Sequence, residues 1–252
     1  MILMSEKTSS RIRSECEAEY QKLSAAMWDQ LVYLRTSLYL LSKIVEFPLR
    51  QFAAPDDQWF FTVVRRALYE AVVLGVAKLM TDTGDDALTI NQFRNRVMAM
   101  LQPKLVKGFR KQLRETKFDK ARIELRDRAE HLRDTRVAHL LPFKGAPEGA
   151  DLSLDLDELE ALVSAAEKLY GPLLFGASAT FLPFPYDPAV RAPNGATETD
   201  IERILRLFAR DSYILNEPEL NAPWWPVLRK RKTDEEIEFI NHWRKRVGLP
   251  EA

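Results

Sequence analysis

The sequence predicts an all-α protein, an antiparallel helical bundle with a helical appendage at its C-terminal end. Apolar residues recur at steps of three and four along several segments, which is the spacing of one helix face. Two of these segments are preceded by a threonine-x-x-glutamine or threonine-x-x-glutamate capping box. Glycine is scarce, with 9 residues in 252, which disfavours a turn-rich β fold. No convincing strand pair is found, although the alternation over 152–156 allows a short extended segment.

The first two predicted helices are long and apolar. Ser5–Phe47 is expected to form one long helix or two stacked ones, and Pro48 ends this segment. A second helix opens near Pro55 and is apolar on nearly all sides over Ala67–Ala77. We therefore expect Trp59–Met80 to be the central element of the core. Its predicted apolar face carries Trp59, Phe60, Val63, Val64, Ala67, Leu68, Ala71, Val72 and Leu79.

Capping residues and prolines predict where the helices in the middle of the chain begin and end. A third helix begins at the capping box of Thr89 and ends before Pro103. A fourth helical stretch is predicted from Lys104 to about Leu141, with a break near Thr116-Lys117. Proline and glycine residues then predict a loop before the next helix.

Three further helices complete the prediction. The fifth starts after Asp155, the sixth covers Glu198 to about Tyr213, and the last opens at the capping box of Thr233 and ends at Gly248. Four prolines between residues 177 and 197 exclude a regular helix there. The predicted organisation is a bundle over 1–176, a proline-rich linker or arm over 177–197, and a helical appendage over 198–252.

The composition excludes several classes of protein. The single cysteine, Cys16, cannot form an internal disulfide or a cysteine-based zinc site within one chain, and it fits a reducing compartment. No apolar run approaches the roughly 20 residues of a membrane-spanning helix. We therefore expect a soluble, cytoplasmic protein with no membrane partner. Phosphate-loop, dinucleotide and histidine-glutamate metal motifs are missing from the sequence, so no cofactor and no metal are expected.

Charge is balanced overall, with 37 basic and 37 acidic residues, but it is unevenly distributed. Residues 94–140 hold 14 Lys and Arg against 6 Asp and Glu, and the following helix is acidic. Such a basic segment can bind phosphates, and a solvated helix face is the alternative interpretation. Arg126, Arg128 and Lys144 are the candidate RNA contacts.

One constellation stands out near the end of the predicted fourth helix, Arg133-Asp134-Thr135-Arg136-Val137-Ala138-His139. An arginine, a polar neighbour and a histidine a few residues later resemble the motif of HEPN domains. Upstream, Ala67–Glu70, Lys78–Asp82 and the capped helix at Thr89 are similar to the abortive-infection branch of the AbiU type. The resemblance covers roughly residues 5–176. Asp134 stands where the family usually has asparagine, and it can pair with Arg133.

The resemblance implies a metal-independent endoribonuclease that acts as a toxin or in phage defence. His139 would move a proton, Arg133 would stabilise charge on the scissile phosphate, and Asp134 and Arg136 would support them. Histidine titrates near neutrality, and arginine can contact a phosphate through two N–H groups. The alternatives are a structural His139, a salt-bridged Arg133, a catalytically silent HEPN-like dimer that binds a partner, or a plain helical scaffold.

Helix geometry favours a dimer. Six residue steps separate Arg133 from His139, which places their side chains about 120° apart and about 9 Å apart along an ideal helix. One chain cannot easily close that gap around one phosphate, whereas a two-fold dimer can appose two such helix ends. The expected partners are therefore RNA and a second copy of the chain, and an antitoxin or other regulatory protein is a further candidate.

Overall fold

The protein is described by a computed structural model that covers residues 11–52, 58–81, 88–134, 156–174, 193, 195, 197–216 and 232–251. This part of the chain contains ten α-helices and no β-strand, so the predicted all-α class is confirmed. Ile12 and Leu101 form one isolated antiparallel bridge. None of the described helices is both long enough and apolar enough to cross a membrane.

The helices are numbered α1 to α10 in chain order. They are α1 Glu17–Glu46, α2 Leu49–Phe52, α3 Gln58–Thr81, α4 Ile90–Met100, α5 Pro103–Glu115, α6 Phe118–Leu132, α7 Leu156–Tyr170, α8 Asp200–Arg210, α9 Tyr213–Asn216 and α10 Asp234–Val247. Short 3₁₀ turns cover Ser14–Cys16 and Gly171–Leu174.

The predicted helix starts are confirmed at both capping boxes. At α4, the Thr89 hydroxyl accepts from the Gln92 N–H at 3.1 Å, and the Gln92 side chain accepts from the Thr89 N–H at 2.9 Å. Thr233 and Glu236 form the same reciprocal pair at α10, which ends at Gly248 in the left-handed conformation with φ of 80°. These contacts satisfy amides that the first helical turn would otherwise leave unpaired.

The predicted break near Thr116-Lys117 is also confirmed. Lys117 adopts the left-handed conformation with φ of 51°, and it divides the predicted fourth helix into α5 and α6. A non-glycine residue in this region is uncommon, because its Cβ crowds the backbone. The turn redirects the chain between two helices that share the basic segment.

The described residues group into two compact units, and each is built from two stretches of chain. The first takes its described residues from Met1–Leu38 and Ala67–Pro183, and the second takes them from Tyr39–Arg66 and Phe184–Ala252. Both α1 and α3 continue from one unit into the other. The predicted boundaries at 176 and 197 stay a prediction, and residues 177–192 lie outside the described part of the chain.

The core of the first unit combines apolar packing with one buried polar network. Its fully buried side chains include Met27, Leu31, Leu34, Val72, Val76, Phe93, Val97, Leu125, Ala129, Leu162 and Ala166. Within it, the Tyr20 hydroxyl donates to the Leu173 carbonyl at 3.0 Å, and the Tyr170 hydroxyl donates to the Ser24 carbonyl at 2.8 Å. Burial raises the pKa of Tyr170 to about 12, so its hydroxyl keeps its proton at neutral pH.

The second unit has an aromatic core. The rings of Phe52 and Trp243 lie 4.9 Å apart, those of Phe47 and Trp243 5.6 Å apart, and those of Phe61 and Phe208 5.2 Å apart. Edge-to-face and tilted pairs at these distances are favourable aromatic geometries. They join the end of α1, α2 and the start of α3 to α8 and α10 within this unit.

The start of α3 differs from the prediction. Trp59 and Phe60 are each 66% exposed, Val63 is 62% exposed and Ala67 is exposed too, so these four residues do not lie on the buried face. Three consecutive aromatic residues cover about 200° of a helix at 100° per residue, so only one of them can face a given neighbour. Here Phe61 takes that position against Phe208. The prediction of a buried centre holds for the later half of the helix, where Val72, Val73 and Val76 are fully buried.

Gly75 of α3 faces α1 closely enough to give a testable expectation. A Cβ at Gly75 would overlap Cδ2 of Leu34, which is itself buried, whereas a Cβ at Gly108 of α5 meets no atom within 4 Å. We expect Gly75→Ala to destabilise the protein by about 1–3 kcal/mol through overpacking. Gly108→Ala should instead stabilise it by about 0.5–1 kcal/mol through helix propensity. Urea unfolding of both variants measures the difference, and equal midpoints would contradict the close packing of α3 on α1.

Candidate functional site

The candidate site starts where α6 ends. Phe118, Leu125, Ala129 and Leu132 are buried at helical spacing and fix this helix in the first unit. Arg133 follows directly and keeps right-handed helical angles, with φ of −56° and ψ of −50°. Its side chain is 38% exposed. The packing of α6 thus holds the backbone of Arg133 while its guanidinium reaches solvent.

Arg133 pairs with its neighbour. Its Nε donates to Oδ1 of Asp134 at 2.8 Å, as the sequence suggested for an aspartate at this position. This hydrogen bond, with the nearby charges of Asp134 and Glu130, raises the pKa of Arg133. The bond uses one of the five N–H donors of the guanidinium, so a bound phosphate still has donors to engage.

The other residues of the predicted motif are not part of the described structure. His139, Arg136 and Lys144 all lie between residues 135 and 155, outside the described ranges. Their roles stay predictions from the sequence. His131, in the last turn of α6, is described and exposed.

The two described candidates for RNA contact both face carboxylates. Arg126 donates through Nε and Nη2 to Oδ1 of Asp127, at 3.0 and 2.7 Å, and this bond raises its pKa. Arg128 of α6 lies 3.5 Å from Glu158 of α7. Contact between these arginines and RNA stays a prediction, and a phosphate would have to compete with the carboxylates.

Two glutamates of α7 pair with one arginine of α1. Arg35 donates to Glu160 at 2.5 and 2.7 Å and to Glu167 at 2.9 and 2.5 Å. Burial alone would raise the pKa of Glu160, but hydrogen bonds from Arg35 and Ser164 hold it below its usual value. The sequence analysis did not identify Arg35. Its partners lie more than 120 residues away, and helix periodicity does not reveal such pairs.

The sequence analysis also left the cations of α5 unassigned. Lys107, Arg110 and Arg114 recur at steps of three and four, which places them along one side of the helix. That spacing could have identified the row, but the sequence analysis considered only the number of basic residues over 94–140. The described ranges contain no cluster of histidine, cysteine and carboxylate side chains suited to a metal ion.

Comparison with known proteins identifies one relationship. The family model HEPN_AbiU2, described as AbiU2, matches residues 17–192, which is more than half of the chain. The matched range includes α1 to α7 and the whole segment from Arg133 to His139. No curated protein and no solved structure matches the chain significantly.

Proposed function

Because the chain belongs to the AbiU2 family of HEPN-type proteins, we propose that it is a metal-independent endoribonuclease whose active site is shared by two copies of the chain. The observation that carries the proposal is the position of Arg133. It stands at the end of a packed helix, at the first position of the predicted motif, with an exposed guanidinium. The alternative of a plain helical scaffold gives no reason for an HEPN-type motif at this place.

The proposed reaction is an internal transesterification. The ribose 2′-oxygen attacks the adjacent phosphorus, a P–O2′ bond forms and the P–O5′ bond breaks. The products are a 2′,3′-cyclic phosphate and a 5′-hydroxyl, so no water is consumed. His139 is proposed to move the proton of the 2′-hydroxyl or of the leaving oxygen, because imidazole titrates near neutral pH.

Arg133 is proposed to stabilise the negative charge that develops on the phosphate. A guanidinium stays protonated at any physiological pH, and its planar N–H groups match two phosphate oxygens. A preorganised cation of this kind acts where charge increases in the transition state. Asp134 and Arg136 are proposed to support it, Asp134 by orienting Nε through the observed hydrogen bond.

The proposal includes a two-fold dimer, in which the helix end of one protomer meets that of its partner. This arrangement brings an arginine and a histidine to one phosphate although they lie on different sides of an ideal helix. The biological role proposed with it is that of a toxin or phage-defence effector, restrained by an antitoxin or another regulatory protein.

A second candidate function is a catalytically silent HEPN-like dimer that binds nucleic acid or protein. The observation that favours it is the Arg133–Asp134 pair, because a carboxylate at 2.8 Å competes with phosphate for the guanidinium. In this case the motif would be retained for structure or binding, and the purified protein would cleave no RNA.

The test is to incubate the purified protein with a panel of structured and single-stranded RNAs, with and without EDTA. We expect cleavage that EDTA leaves unchanged and products that end in a 2′,3′-cyclic phosphate. Cleavage that requires a divalent cation, or products ending in a 3′-hydroxyl, would contradict the proposed chemistry. A dimer that cleaves none of the panel would support the binding module.

A further inference from the structure

A basic groove lies along α5 in the first unit. It has a volume of about 660 Å³ and is open to solvent. Its walls come from α4, α5 and the first turn of α6. The lining residues are Arg94, Met98, Pro103, Val106, Lys107, Arg110, Leu113, Arg114 and Asp119.

The cations of the groove form a row on α5. Lys107, Arg110 and Arg114 are all exposed, and at steps of three and four they extend over about 10 Å of helix. Beside them, Met98 and Val106 give the groove an apolar surface. The opposite wall carries Arg94, which is already paired with Asp119.

The charge of this row is not compensated within the described chain. The side chains of Lys107, Arg110 and Arg114 form no hydrogen bond and no ion pair with another described residue. By contrast, Arg126, Arg128 and Arg133 each face a carboxylate. Exposed cations whose side chains form no ion pair attract anions strongly, and Asp119, the carboxylate that also lines the groove, is paired with Arg94.

We propose that this groove, lined by Lys107, Arg110 and Arg114, binds the phosphate backbone of single-stranded RNA. The inference rests on the proposed endoribonuclease function, since such an enzyme must hold its substrate beyond the scissile bond. Asp119 and Arg133 are at opposite ends of α6, about 21 Å apart along the helix. The groove would therefore hold a part of the strand remote from the cleaved phosphate.

The form of the groove favours a nucleic-acid strand over other anions. Successive phosphates can follow a row of three cations, whereas a small anion would engage only one end of it. Proteins that bind single strands without sequence preference commonly use a positively charged groove that follows the backbone. Double-stranded RNA is instead recognised by contacts that span two successive minor grooves, a length that a row of cations about 10 Å long does not reach.

The test measures binding separately from cleavage. The probe is a short fluorescein-labelled 2′-O-methyl oligoribonucleotide, which lacks the attacking hydroxyl, and its fluorescence anisotropy is followed with the full-length protein. The test variant combines Lys107→Gln, Arg110→Gln and Arg114→Gln. The control variant combines Lys104→Gln, Lys111→Gln and Lys120→Gln, which removes the same charge from exposed positions that do not line the groove.

The groove variant should bind the probe roughly tenfold more weakly or worse at low salt. Each lost phosphate contact lowers the steepness of the salt dependence by about 0.7 for a single strand, so losing three contacts should lower it by about 2. The control variant should keep the wild-type salt slope. Circular dichroism and urea unfolding verify that both variants are folded, and Arg110→Gln alone gives a milder version of the same test.

Three outcomes would overturn the assignment. In the first, the two triple variants have equal affinities and equal salt slopes. In the second, the wild type fails to bind the probe even at low salt. In the third, the wild type binds poly-glutamate at least as tightly as it binds the probe. The last outcome would indicate an acidic protein partner. Groove-dependent binding without cleavage of natural RNA would keep the groove and reject the ribonuclease. Cleavage of RNA that is unaffected by the groove substitutions would keep the ribonuclease and reject the groove as an RNA-binding site.

Discussion

His139→Ala is expected to abolish RNA cleavage, with a loss of about 10²–10⁴-fold in kcat. The imidazole would be the group that moves protons in the proposed reaction, and the motif offers no second residue that titrates near neutral pH. The loss should appear in kcat, while binding of the 2′-O-methyl probe stays close to that of the wild type. Single-turnover cleavage of a labelled RNA measures this effect.

The chain supplies matched controls for this prediction, because it has only two other histidines. His131 and His242 are both exposed, and neither belongs to the motif. His131→Ala and His242→Ala should keep cleavage within a few-fold of the wild type. A His139→Ala protein that cleaves as fast as the wild type would remove His139 from the mechanism.

Arg133→Ala should lower kcat by about 10²–10³-fold, the usual effect of removing one preorganised group that stabilises transition-state charge. The side chain is partly exposed and ends a well-packed helix, so the variant should unfold at nearly the same urea concentration as the wild type. Arg133→Lys should recover only part of the rate, because an ammonium keeps the charge but not the planar pair of donors.

Asp134→Asn tests how the carboxylate beside Arg133 affects cleavage. It removes the carboxylate charge that pairs with Nε while retaining a side chain of the same shape. If Asp134 mainly competes with phosphate, the variant should cleave RNA faster than the wild type. If Asp134 mainly orients Arg133, cleavage should fall, and both results keep Arg133 in the site. An Arg133→Ala protein with unchanged kcat would exclude the arginine from catalysis.

Local sequence signals predicted the starts of α4 and α10 and the break between α5 and α6. The boxes at Thr89 and Thr233 depend on residues only three positions apart, so the sequence contains the complete contact. The break at Lys117 was predicted for a similar reason, because the helical pattern is interrupted there. The hydroxyl and N–H of Thr199 donate to Glu202 in a similar local arrangement at α8, which the sequence analysis did not identify.

Contacts between distant segments could not be predicted in the same way. An apolar stripe reveals that a helix face is buried but not what covers it, and the predicted face of α3 included Trp59 and left out Phe61. In the structure Phe61 is buried and packs against Phe208, whereas Trp59 is exposed. The Arg35 contacts with Glu160 and Glu167 depend on how α1 packs against α7, which no spacing within either helix contains.

The candidate site was predicted in outline only. Arg133 and its pairing with Asp134 follow from neighbouring positions in one motif, and the structure describes both. The row on α5 has an equally regular spacing. Its distinguishing property is that its side chains form no ion pair with a described carboxylate, and this becomes visible only when the described acidic side chains have been placed.

The second unit is one compact body in the fold, but two separate stretches of the gene encode it. Its aromatic core takes Phe47, Phe52 and Phe61 from early codons and Phe208 and Trp243 from late ones, with most of the first unit encoded between them. A stop codon between the motif and α8 would leave the three early rings without their late partners on a chain that retains the motif. The C-terminal helices are therefore poorly suited to be lost, exchanged or fused as an independent module during evolution.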